Sequence, residues 1–138
     1  MATFNQIRDY LKTKIGGISS VQEVFKAQKA DLEGFPAVCI YPSEASSDFA
    51  TTTENLREYV FDIRIYVRYE GKDEEDIDDN LSAVVDEVIQ TLEEDYTLGG
   101  LVDKSVIRIA PWGWEEREQG VLRVAVLKLH CYQLINIA

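Results

Sequence analysis

Two stretches of the chain carry apolar residues at the spacing of a helix, every three or four positions. In the first they are Phe4, Ile7, Leu11 and Ile15. In the second they are Ile77, Leu81, Val84, Val85, Val88, Ile89 and Leu92. Thr3 is a suitable N-cap for the first helix, and Gly16 and Gly17 would end it. The pattern predicts two amphipathic helices, each with one face that must pack against the rest of the fold.

Other stretches predict β-strands. The clearest is residues 57–69, in which every second residue is apolar. Its extended length would be about 43 Å, more than a common strand of about 5–6 residues needs, so one end should project beyond the domain body. A short apolar run at 37–41 predicts a buried strand, and residues 21–25 predict a weaker one. Two further strands are expected at "KSVIRIA" and "VLRVAVLKLHCYQLI".

The segments between these strands have their own signals. "PWGW" should interrupt its strand with a bulge or bend, because it contains Pro111 and Gly113. "EEREQG" is expected to be a hairpin turn. Residues 42–55 are polar, have no helical period and are too long for a tight turn. They predict a long surface loop of the kind that is often functional.

The order of these elements predicts the fold class. We expect a single domain over residues 1–138, because no repeat or linker divides the chain. Two strand pairs separated by a helix indicate an α+β fold. The expected structure is a mainly antiparallel sheet of about four strands, with two helices packed on one face and an extended loop or hairpin arms.

The acids from Asp73 to Asp79 raise the question of a metal or catalytic site. Asp73, Glu74, Glu75 and Asp76 would occupy the first helical turn, where carboxylates favour the positive end of the helix dipole. Asp78 and Asp79 would continue onto the exposed side. A calcium loop needs a glycine at its sixth position, which this stretch lacks. We interpret the acids as a helix start, with a weak cation site and catalysis as the alternatives.

Composition excludes several functions. The formal net charge is −11, from 14 basic and 25 acidic residues, which disfavours an electrostatic grip on nucleic acid or anionic lipid. The opening residues lack the apolar run of a signal peptide, and no run reaches membrane-spanning length. We expect no catalytic residues, no metal ligands, no cofactor and no contact with a membrane.

The remaining candidates are cysteine, histidine and aromatic side chains. Cys39 and Cys131 lie in apolar runs and are expected to be buried thiols, with a disulfide or a zinc site as the alternatives. His130 is expected to be structural. Trp112 and Trp114 would cover the core or a sheet edge, or would contact a partner, since tryptophan is enriched at binding hot spots. Phe49, within the predicted polar loop, is a third candidate partner contact.

The succession of elements resembles a known family. The helix "TFNQIRDYLKTKI" is followed by "FPAVCIYP", a polar segment, the strand "REYVFDIRIYVRY", the helix "DDNLSAVVDEVIQTL", a hairpin and the strand "VLRVAVLKLHCYQL". This order resembles the tail terminator, or tail completion, proteins of tailed bacteriophages and related head–tail joining proteins. The resemblance covers about residues 3–134 and consists of patterns, without fixed signature residues.

The resemblance implies a structural virion protein. Such a protein forms a homohexameric ring that caps the tail tube, contacts the tail tube protein and offers a surface to the head connector or head-closure protein. DNA would pass through the lumen without specific binding. The protein would be found at the head–tail junction of the virion, and in the host cytoplasm during assembly. The alternatives are a small ferredoxin-like regulatory or ligand-binding domain, an enzyme, and an acidic inhibitor that mimics DNA.

Overall fold

The computed structural model describes residues 2–28, 31–69, 71, 73–117 and 120–136. It contains seven elements. In chain order they are α1 (Phe4–Gly16), β1 (Glu23–Phe25), β2 (Ala37–Phe49), β3 (Glu54–Arg68), α2 (Glu74–Glu94), β4 (Lys104–Arg117) and β5 (Gly120–Asn136).

All five strands belong to one sheet, in the order β1-β2-β3-β5-β4. The pairs β2–β3, β3–β5 and β5–β4 are antiparallel, and the short β1 pairs with β2 in parallel. The predicted α+β class is therefore confirmed, with five strands where about four were expected. Because β5 lies between β3 and β4, α2 must carry the chain across the sheet before the last hairpin forms.

Both helices pack on the same face of the sheet, which we call the helix side. Here α1 buries Ile7, Leu11 and Ile15. Alternate residues of the strands form the other half of this core, because successive side chains of a strand point to opposite faces. They are Val38, Ile40, Phe61, Ile63, Ile65, Val67, Ala125, Leu127, Leu129 and Cys131.

The opposite face of the sheet, which we call the opposite side, is partly covered by the segment between β1 and β2. Leu32 of this segment is buried in a second cluster, together with Cys39 and Tyr66 of the neighbouring strands. Cys39 and Cys131 are both buried and free, as expected, and they lie in clusters on opposite faces of the sheet.

Local capping explains where the helices begin. The Thr3 hydroxyl accepts from the backbone N–H of Gln6, and the Gln6 side chain accepts from the backbone N–H of Thr3, which forms a capping box. At α2, the Asp73 carboxylate accepts from the backbone N–H of Glu75 at 3.1 Å. Among the described residues, no helix combines the length and apolar character that crossing a membrane requires.

The predicted polar loop at residues 42–55 is wrong. β2 continues to Phe49, β3 begins at Glu54, and the turn between them is short. Ser46 pairs with Glu58 and Phe49 with Asn55, so the backbone of this polar stretch is satisfied by an ordinary antiparallel ladder. Both faces of this part of β2 are exposed, so its sequence shows no alternation of apolar and polar residues.

The turn predicted at "EEREQG" is shorter than expected. Glu115, Glu116 and Arg117 belong to β4 and pair with the start of β5, up to Arg117 opposite Gly120. The prediction for Glu118 and Gln119 lies outside the described residues.

Two β-bulges change which face the side chains occupy. In β2, Pro42 pairs with Phe61 and Glu44 pairs with Val60, so Ser43 is an extra residue. In β4, the register shifts between Ala110 and Gly113, within "PWGW", which confirms the predicted irregularity. After each bulge, residues of the other parity face the helix side.

Candidate interaction surfaces

The most prominent surface is an extension of the sheet, which we call the arm. It consists of residues 46–49 of β2, 54–58 of β3 and 132–136 of β5, which pair in that order. Every residue from 42 to 49 is exposed. The arm is the projecting strand end that the length of residues 57–69 predicts, although its outer strand comes from the stretch that sequence reasoning assigned to a loop.

The base of the arm is fixed to the body of the domain. Gln133 exchanges two hydrogen bonds with the backbone of Ala2, at 2.9 and 3.0 Å. The Asp103 carboxylate accepts from the backbone N–H of Leu134 at 2.6 Å. On the helix side, the ring of Phe4 stacks on Tyr59, with 3.9 Å between the ring centroids. These contacts hold the arm rigidly where it leaves the core.

Large apolar side chains are exposed on the arm. Phe49, a predicted contact residue, is 76% exposed at the tip of β2. Leu56 and Leu134, which are 41% and 50% exposed, lie directly opposite each other on β3 and β5. Sequence reasoning missed this leucine pair, because only the pairing of two distant strands brings the residues together.

Trp112 and Trp114 lie on the helix side of the sheet, next to the start of α2. Trp112 is partly buried against the main core, and Trp114 is 48% exposed. The Arg123 guanidinium lies 5.8 Å from the centroid of the Trp112 ring and 4.9 Å from that of Trp114. The guanidinium also donates a hydrogen bond to the Asp78 carboxylate at 2.9 Å. Asp78 was expected to be an exposed helix acid, but it is paired with a base of the sheet. Trp112 therefore covers the core, whereas Trp114 stays about half exposed and also packs against Tyr69, with 6.0 Å between the ring centroids.

The opposite side of the sheet carries two contacts between acidic and basic side chains next to the arm. Asp62 is 8% exposed and accepts from Lys128 at 2.8 Å. One step further along the same strands, a Glu58 oxygen lies 3.1 Å from Nδ1 of His130. His130 thus has the structural position expected of it. Lys128 and His130 already have acidic neighbours, so the two contacts do not form an exposed basic patch.

The structure also offers two open clefts. One, with a volume of about 650 Å³, lies between α1 and α2 and is lined by polar residues such as Lys14, Glu87 and Thr91. Another, of about 560 Å³, lies at the base of the arm beside Gln6 and Asp103. The cleft at the base of the arm is lined mainly by polar groups, whereas Tyr10 and Ile18 add apolar surface to the cleft between the helices.

The described part of the chain contains no candidate metal site. Within residues 2–28, 31–69, 71, 73–117 and 120–136, no three His, Cys, Asp or Glu side chains are grouped as a metal site would require. Burial raises the pKa of the Cys131 thiol to about 12, which disfavours the thiolate that binds metals or attacks substrates. Glu74, Glu75 and Asp76 lie in the first turn of α2, as predicted, and Asp73 precedes them as the N-cap.

No protein-family model matches the chain, and no curated protein sequence matches it. The arm, the sheet edges and the charge distribution are therefore the features that bear on function.

Proposed function

We propose that this chain is a structural protein of a phage particle, which caps the tail tube as a ring and joins the tail to the head connector. The observation that carries the proposal is a sheet in which stretches of β2 and β4 have no described strand beyond them, together with an arm that exposes Phe49, Leu56 and Leu134. Unpaired strand edges and exposed apolar side chains are features of surfaces that bind other chains.

The charge of the chain supports this role. A ring that lets DNA pass through its lumen should not hold the DNA, and a subunit with a net charge of −11 repels phosphate. The Lys128 ammonium on the opposite side is already paired with the Asp62 carboxylate. We therefore expect no retention of duplex DNA by the purified protein at physiological ionic strength.

The partners follow from the same proposal. Copies of the chain bind one another in a homohexameric ring, one surface of the ring contacts the tail tube protein, and another meets the head connector or head-closure protein. The protein would act by assembly, without a catalytic step and without a cofactor. It would assemble in the host cytoplasm and remain in the virion at the head–tail junction.

Electron microscopy of particles tests the proposal. The protein would carry a small peptide tag, and gold-labelled antibody against the tag would locate it on the particle. We expect label at the head–tail junction, with a ring of density there in averaged images. Label distributed elsewhere on the particle, or a single copy of the protein in each particle, would overturn the proposal.

A ligand-binding domain of the ferredoxin-like kind is the second candidate, favoured by the cleft between α1 and α2. It predicts a dimer and a small molecule held near Lys14 and Glu87. A panel of small polar compounds would then raise the melting temperature of the wild type but not of T91W, which places a large side chain in the cleft. Equal shifts in both proteins would argue against the cleft as a binding site.

A further inference from the structure

Both edges of the sheet have free stretches of backbone. β1 covers β2 only from Ala37 to Cys39, so residues 40–49 of β2 have β3 on one side and no described strand on the other. β4 is the last strand at the other edge, where it pairs only with β5. Such edges present a row of N–H and C=O groups that can pair with another chain.

The free edge of β2 presents acids on the opposite side of the sheet. Glu44 and Asp48 lie across from Val60 and Leu56 of β3, on the face away from the helices. Neither acid forms a hydrogen bond or an ion pair with any described residue. On the helix side, the same stretch carries the small side chains of Ala45 and Ser47. The described part of β2 contains no basic residue.

The free edge of β4 presents bases on that same face. Lys104 pairs with Tyr132 of β5, and Arg108 pairs with Lys128. The Lys104 ammonium lies 5.1 Å from the centre of the Tyr132 ring, and neither base has an ion-pair partner among the described residues. On the helix side, this stretch carries Ile109, which is 63% exposed.

The two edges match in spacing and in charge over residues 44–48 and 104–108. Beyond them, the neighbour's β4 must bend away at its bulge between Ala110 and Gly113, because β1 lies beside Ala37 to Cys39. Within the chain, β2 and β4 are antiparallel, since three antiparallel steps separate them. Two copies placed side by side in the same orientation would therefore bring β2 of one against β4 of the other in antiparallel pairing. In a single register, Glu44 lies opposite Arg108 and Asp48 opposite Lys104, with both pairs on the same face.

We propose that the free edge of β2, residues 44–48, pairs with the free edge of β4, residues 104–108, in a second copy of this chain. Ser46 would lie opposite Val106, and on the helix side Ala45 would lie opposite Ile107. Main-chain hydrogen bonds join the two sheets, and the two ion pairs select the register. The two surfaces differ, so each copy can bind a neighbour on either side.

This inference deepens the proposed function, and it rests on that function in requiring that copies of the chain associate. It adds which strands meet, in which direction and in which register. Because the interface leaves the arm tip and Leu134 uncovered, those side chains stay available for a different partner.

Disulfide trapping tests the register. Two variants, S46C and V106C, are mixed at high concentration and oxidised, since paired strands bring their Cα atoms to about 4.5–5.5 Å, within the range that a disulfide spans. We expect a covalent dimer that contains one copy of each variant. Replacing V106C by D86C, on the exposed face of α2, provides the control and should give about tenfold less of the mixed dimer.

Charge reversal tests the ion pairs. One variant carries E44R and D48K, and the other carries K104D and R108E; both sets of positions are exposed, and folding is checked by circular dichroism. Each variant alone places like charges across the interface, so we expect association to weaken about tenfold or more. An equimolar mixture restores opposite charges at every contact and should recover the wild-type level.

A control variant, with D79R and D86K on the exposed face of α2, changes the net charge as much as the acid reversal does and should associate at least as well as the wild type. If it weakens association equally, the ion-pair register is overturned. If copies form an oligomer but S46C and V106C give no mixed disulfide, the proposed pairing of β2 with β4 is wrong, and the proposed ring must form through other surfaces. If no oligomer and no mixed disulfide form, the interface is overturned, and electron microscopy of particles decides the proposed function separately.

Discussion

At the scale of single residues, a contact between the two helices depends on a glycine. The Tyr10 hydroxyl of α1 donates to Asp95, the residue that caps α2, and Gly99 donates its backbone N–H to the other Asp95 oxygen at 3.1 Å. Gly99 has a φ of 66°, and a Cβ added there would lie 2.9 Å from the Tyr10 ring. A side chain at this position would therefore strain the backbone and displace the tyrosine.

We expect G99A to lower the free energy of unfolding by about 2–3 kcal/mol, from backbone strain together with the lost contact. The matched control is G100A. Gly100 also has a positive φ, of 87°, but a Cβ there would meet no atom within 4 Å. The G100A substitution should therefore lower the free energy of unfolding by only about 1 kcal/mol. Urea denaturation of both variants measures the difference, and equal losses would show that the Tyr10 ring yields without cost.

The same contact predicts a dependence on pH. The hydrogen bond from Tyr10 holds the pKa of the Asp95 carboxyl below its usual range. The folded state thus binds fewer protons than the unfolded chain, where the pKa is about 3.9. The stabilisation is present above that value and is lost as the pH falls through the lower pKa of the folded state.

We therefore expect the wild type to lose more stability between pH 5 and pH 3 than D95N does. Chemical denaturation at each pH measures this loss. The control D79N removes an acid from α2 that has no contact with Tyr10, and its free energy of unfolding should fall between pH 5 and pH 3 as much as that of the wild type. If the free energy of unfolding of D95N falls by the same amount as that of the wild type, the role of Asp95 is contradicted.

At the scale of elements, the start of α2 depends on one capping side chain. Asp73 holds the backbone N–H of Glu75, and three acids follow in the first turn. We expect D73A to cost about 1 kcal/mol, the usual loss when an N-cap is removed. D79A, in the interior of the same helix, should be nearly neutral. Urea denaturation compares the two variants, and an equal loss would contradict the capping role.

The calcium alternative for these acids has a separate test. A cation that binds the folded state raises the melting temperature in proportion to its affinity and concentration. We expect no rise with calcium beyond that given by magnesium at equal ionic strength. A rise specific to calcium, abolished in D73A, would show that the first turn of α2 binds metal.

Elements with one buried face were predictable from the sequence. Both helices and residues 57–69 carry the periodicity of their structure, because one side of each element faces the core. The outer half of β2 was missed, because it is paired through its backbone and exposed to solvent on both faces. Its side chains therefore show no alternation that would indicate a strand. The candidate surface was only partly predicted. Phe49 was selected, but Leu56 and Leu134 were not, because only the pairing of β3 with β5 brings them together.

At the scale of the whole molecule, the sheet separates two apolar layers. Cys39 belongs to the smaller layer and Cys131 to the larger one, so they cannot form a disulfide without unfolding. The order of the strands could not be predicted, because it depends on pairing between residues distant in sequence. That Cys39 and Cys131 lie on opposite faces could not be predicted either.

We expect both thiols to be inert in the folded protein. Each is fully buried, and burial raises the pKa of Cys131 to about 12, so little thiolate forms at neutral pH. Reaction with a coloured disulfide reagent should be at least about a hundredfold slower in buffer than in concentrated denaturant. Rapid labelling of the folded protein, or a bridged pair in mass spectra, would contradict this arrangement.

Ser43 is the one extra residue between Pro42, which lies opposite Phe61, and Glu44, which lies opposite Val60. Removing Ser43 would make the ladder regular and leave every following side chain of β2 on its present face. Inserting one residue between Ala45 and Asp48 would instead turn the residues beyond it to the other face. Among natural variants we therefore expect sequences that lack Ser43, and insertions in the turn at residues 50–53, but no single-residue insertion between Ala45 and Asp48. The outer half of β2 thus tolerates a shorter chain at one position and a longer chain only at its tip.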